Sequence, residues 1–60
     1  MNNEQFEMEQ LKPFIELQSK EIAAAINEAP HLTSYIYKGV RERFKEPLCG
    51  KIIERVKELI

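Results

Sequence analysis

Three prolines punctuate this chain, and they constrain its fold more than any other feature. Proline has a fixed φ and no N–H, so it stops or kinks a helix interior yet fits a helix's first turn. Pro13, Pro30 and Pro47 leave room for a helix after each of them. Strand signals are missing. No run alternates apolar and polar residues, and no Asn-Gly or Asp-Gly pair marks a hairpin. The chain therefore reads as all-α: one domain over residues 1–60, a small three-helix bundle whose first helix is kinked or broken near Pro13.

The last helix is the clearest. It starts at Glu46-Pro47, and Leu48, Cys49, Ile52, Ile53, Val56, Leu59 and Ile60 fall on one stripe at helical spacing. Lys51, Glu54, Arg55 and Glu58 take the polar side. The middle helix spans about 32–45. Leu32, Ile36, Val40 and Phe44 form its core ridge, with Tyr37 beside it and Thr33 or Ser34 as cap. In the first helix Leu11, Phe14, Ile15, Ile22, Ala25 and Ile26 make one stripe with Gln18 inside it. Asn2 and Gln5 resemble a capping pair, and Pro13 divides a segment at about 3–11 from a helix at about 13–28. The expected core is Leu11, Phe14, Ile15, Ile22, Ile26, Ile36, Val40, Phe44, Leu48, Ile52, Ile53, Val56 and Leu59. Phe6, Met8, Leu17 and Ile60 are left needing cover.

That leftover bears on assembly. Sixty residues bury a small core, and small scaffolds usually add a staple. Cys49 has no second cysteine to bridge to, and with His31 it gives too few ligands for a structural zinc. Self-association remains, so a homodimer or higher helical oligomer is expected. No cofactor and no metal is expected. No apolar run suits a membrane span, and the polar start lacks the basic region of a signal peptide. A single unpaired cysteine fits a reducing compartment, so the expected location is cytoplasmic.

Charge is divided along the chain. Residues 1–30 hold six glutamates against Lys12 and Lys20, whereas residues 31–60 hold seven basic groups against four glutamates. The simpler account is two halves that attract one another within one fold. The sharper one is an acidic and a basic face for different partners.

Catalytic sets are thin. There is no aspartate, no glycine-rich phosphate loop and no metal-binding spacing. His31 and Cys49 could pair as base and nucleophile, but Cys49 sits on an apolar stripe, where cysteine acts as a small hydrophobe. The chain is read as a non-enzyme. Its most informative segment is the middle helix, where aromatic and basic residues interleave. Tyr35, Tyr37, Lys38, Gly39, Arg41, Arg43 and Lys45 are the candidate partner-binding residues, tyrosine and arginine being the commonest binding hot spots. Tyr35, Gly39 and Arg43 lie at i, i+4, i+8, so the glycine leaves a notch between two large groups. Alternatively Tyr35 and Arg43 simply lay their stems over the first helix.

Three functions fit. The first is a small regulatory or inhibitor protein that binds an unidentified protein target through this helix, of the kind compact genomes such as those of phages often encode. The second is a dimeric helix-turn-helix DNA-binding regulator, in which Lys38, Arg41 and Lys45 form the one clean basic patch; the turn from Ile26 to Thr33 is long for that motif. The third is an oligomer that holds a small ligand or nucleotide with Tyr35, Tyr37, Arg41 and Arg43.

Overall fold

A computed structural model describes residues 9–60, and every element found there is helical. The capping pair at Asn2 and Gln5, the start of the first segment, Phe6 and Met8 lie outside the described residues. Residues 9–10 are helical, and Leu11 turns before helix α1 (Lys12–Glu28) begins with Pro13 in its first turn. The break expected near Pro13 thus falls at Leu11, just ahead of the residue that lacks an N–H. The N–H of Ile15 donates to the carbonyl of Leu11 at 2.8 Å, which starts the new ladder.

Pro30 ends α1 one residue ahead of itself. A residue before proline is pushed out of the helical region, and Ala29 has φ −137° and ψ 70°. A single 3-10 turn, Pro30–Leu32, leads directly into α2 (Thr33–Arg43). α1 ends at Glu28, where the sequence puts its end, so the link is shorter than the Ile26-to-Thr33 turn of the helix-turn-helix reading. Neither Thr33 nor Ser34 caps α2. Thr33 begins the helix, and its hydroxyl donates back to the Pro30 carbonyl instead. At the other end α2 stops at Arg43, two residues short of expectation. Phe44 is extended, at φ −124° and ψ 137°, and Lys45 lies beyond the helix. That turn lets the Phe44 ring meet Phe14 edge to face, with centroids 5.9 Å apart.

Helix α3 (Leu48–Leu59) follows Pro47. Its first N–H groups are met by the preceding segment: Cys49 donates to the Lys45 carbonyl at 3.0 Å, and Gly50 donates to the Glu46 carboxylate. A Cβ at Gly50 would lie 3.1 Å from one oxygen of the exposed Glu46 side chain, which would have to shift slightly to admit it.

α1 and α3 form by far the larger seam, and α2 meets each of them over a short stretch. The centre is Ile52 and Val56, both fully buried, with Ile22, Ala23, Ile26, Val40 and Cys49 around them. Of the expected core, Ile15, Ile36, Phe44, Leu48, Ile53 and Leu59 pack against this cluster half-buried. Leu11 is also half-buried, and Phe14 stays exposed. Leu17 and Ile60 are exposed as expected.

One correction changes the geometry. Of the expected α1 stripe, Ile22 and Ile26 are buried, but the seam does not follow the stripe through Phe14, Gln18 and Ala25. It is rotated toward Ser19 and Ala23, which are buried while Ala25 is exposed. Small side chains let two helix axes come close, and at this point the Ser19 hydroxyl donates to the carbonyl of Ile52 at 3.4 Å. A second tie spans the same seam. Arg55 grips Glu16 through two parallel hydrogen bonds, Nε to Oε1 at 2.8 Å and Nη2 to Oε2 at 2.9 Å. Arg55 also reaches Glu58 at 3.2 Å. Among the described residues one ion pair, Arg55 with Glu16, joins the acidic half to the basic half, and Arg55 belongs to the seam rather than to a wholly solvated face.

Candidate surface on α2

Rotating α1 toward α3 turns its other flank, with Gln18, Glu21 and Ala25, toward α2. A cleft of about 330 Å³ results, floored by Ile22, Ile36 and Val40. Its walls are joined at one end by the Pro30–Leu32 turn. At the other end Arg43 Nη2 donates to Gln18 Oε1 at 3.3 Å, with the guanidinium carbon 5.0 Å from the centre of the Phe44 ring.

Gly39 and Tyr35 define the mouth of this cleft. Beyond the backbone of its own helix, no heavy atom lies within 4 Å of where a Gly39 Cβ would stand, so the notch is unfilled by the chain itself. Tyr35, one turn away on the same flank, lines the cleft yet is 75% exposed. Its ring is not laid down over α1. Arg43, by contrast, does reach across to α1, so the flat-stem account holds for one of the two large groups and fails for the other.

The seven candidate residues are not brought together as one site. Tyr35, Gly39 and Arg43 line the cleft. Lys38 stands beside Tyr35 at a shallower hollow. Tyr37 is half-buried and packs against the core. Arg41 and Lys45 open onto a different hollow of about 520 Å³, over Phe44, Cys49 and Ile53. The small-ligand set of Tyr35, Tyr37, Arg41 and Arg43 is thereby split between the cleft, the core and that second hollow. Lys38, Arg41 and Lys45 are all exposed, but Lys45 leaves the helix and the basic patch is not a single helical stripe.

Glu21 is a cleft residue that the sequence did not single out, and Ala25, expected on the core stripe, is a cleft residue instead. Ser19 and Ala23, small residues four apart, carry the signal that would have found them, because they move the seam by part of a turn. Electrostatics at Cys49 disfavour a nucleophile: burial, with the charge of Glu46 adding to it, pushes the thiol above its ordinary range. Among the described residues no three histidine, cysteine or acidic side chains gather as a metal site, and no helix is long and apolar enough to cross a membrane. Protein-family models, curated proteins and solved structures contain no match to this chain. The class that the fold defines is a small three-helix protein.

Proposed function

We propose that this chain is a small non-enzymatic regulatory or inhibitor protein that works by binding another protein, with α2 as the binding element. The observation that carries this reading is Tyr35, a large aromatic side chain held out in solvent at the lip of an unfilled notch. Aromatic anchors of this kind supply most of the energy in protein interfaces. Lys38 and Arg41, exposed on the same helix, favour an acidic partner segment. A test is capture from lysate, with and without nuclease, followed by mass spectrometry. The reading expects a protein partner that survives nuclease and is lost with Tyr35→Ala. Capture unchanged by Tyr35→Ala would reject it.

One observation favours a second reading, a dimeric helix-turn-helix DNA binder. The link from Ala29 to Leu32 has the length such motifs use, and α2 then stands in the position of the recognition helix with Lys38 exposed. DNA binding weakens steeply with salt and falls on neutralising Lys38 or Arg41. A protein partner depends more on Tyr35.

A further inference from the structure

The cleft between α1 and α2 carries both halves of a self-complementary contact. One half is the hole. Gly39 leaves it open, and its volume of about 330 Å³ is generous for one aromatic ring, since a cavity of about 150 Å³ already accepts benzene. The other half is the knob, Tyr35, on the same helix flank one turn away, which lines the mouth of the cleft and is largely exposed. A two-fold contact requires this arrangement: residue i of one copy meets residue j of the other, and j meets i.

Charge agrees with shape. The cleft is lined by one charged group of each sign, Glu21 on α1 and Arg43 on α2. A two-fold axis through the cleft lays α2 of each copy over α1 of the other, opposing unlike charges at both crossings. The two charged groups that line the cleft are available for this. Among the described residues Glu21 makes no ion pair, and Arg43 meets only the neutral amide of Gln18.

Resting on the protein-binding reading of α2 and naming the occupant of its cleft, we propose that the cleft is the interface of a two-fold homodimer. Tyr35 of each copy fills the cleft of the other beside Gly39, and Arg43 of each copy reaches Glu21 of its partner. Tyr35 is then taken up by the dimer, and Lys38, which stands beside it on each copy, is the basic group left at the rim for an acidic partner.

The test is sedimentation equilibrium of the full chain from micromolar to millimolar concentration, with circular dichroism to confirm helicity. The parent chain associates to a dimer. Tyr35→Ala and Gly39→Leu each weaken association roughly tenfold or more while the monomer remains helical. Charge reversal supplies the sharper arm. Arg43→Glu alone and Glu21→Arg alone each repel themselves and stay monomeric, and an equal mixture of the two forms a heterodimer, because both crossings then pair unlike charges. A parent chain that is monomeric throughout, a dimer indifferent to Tyr35 and Gly39, or a mixture that fails to associate overturns the proposal. A monomer whose protein capture is still lost with Tyr35→Ala overturns the dimer and leaves the protein-binding reading standing. A monomer whose capture ignores Tyr35→Ala overturns both.

Discussion

The α1–α3 seam and the α1–α2 cleft share a helix and differ in every other respect. The seam is closed: Ile52 and Val56 are fully buried, Ser19 and Ala23 bring the helices together, and Arg55 clasps Glu16 across it. The cleft is open: Gly39 faces empty space, Tyr35 stands in solvent, and the cross-link at its far end is one exposed arginine–amide hydrogen bond. Close packing is where a small domain obtains its stability, because buried apolar surface must offset the entropy of ordering the chain. The difference teaches that α1 and α3 hold the fold, whereas α2 is carried on them with a flank left over for something else.

Substitutions at the seam carry the largest expected effect. Ile52→Ala removes a fully buried side chain and should cost about 2–5 kcal/mol, measured by urea denaturation. Phe14→Ala, at an exposed site, should cost clearly less. Equal losses would erase the distinction between centre and edge. Next comes overpacking. Ala23→Leu forces extra volume between α1 and α3 and should cost about 1–3 kcal/mol, whereas Ala25→Leu, on the exposed cleft wall, should be nearly neutral for the monomer. The reverse ranking would place the seam where the apolar stripe alone suggests it.

Gly39→Ala acts in the opposite direction. Glycine inside a helix costs roughly 1 kcal/mol against alanine, and the new methyl meets nothing within 4 Å. The monomer should gain up to about that amount, read from the denaturation midpoint. A loss would mean that the notch is filled within the chain.

The smallest effect is a pH dependence. Hydrogen bonds from Arg55, with its charge adding to them, hold the Glu16 carboxyl below its ordinary range. The unfolded chain then binds the proton more readily, so this contribution is complete above the ordinary glutamate value of about 4. It is lost as pH falls through the lowered folded value. Glu16→Gln should flatten the acid limb of the stability curve and leave its alkaline limb alone. An unchanged acid limb would show that the clasp contributes nothing.

How much of this was legible in the sequence divides along the same line. The prolines mark the helix starts because their backbone chemistry is local, and Pro30 ejects Ala29 from α1 regardless of what packs nearby. The stripe of α3 was legible because it is regular, and Cys49, Ile52 and Val56 are buried where spacing puts them. The seam of α1 was not. Hydrophobicity points to Leu11, Phe14 and Ala25, but close approach is decided by the small residues Ser19 and Ala23, one of them polar. The pairing of Glu16 with Arg55 was equally hidden, since a bidentate grip between residues far apart in the chain leaves no mark on either local pattern. At the cleft, the Tyr35–Gly39–Arg43 spacing located α2's wall. The facing wall at Glu21 and Ala25 followed only once the seam was rotated.

Hydrogen exchange tests the division of labour between these regions most directly. In dilute solution the amides around Ile52 and Val56 should exchange only through global unfolding, and those of α2 through a cheaper partial opening that leaves α1 and α3 paired. Raising the protein concentration should slow α2 and α3 alike, because both openings then require the dimer to part, and α2 should remain the less protected of the two. Equal protection of α2 and α3 at every concentration would contradict the account.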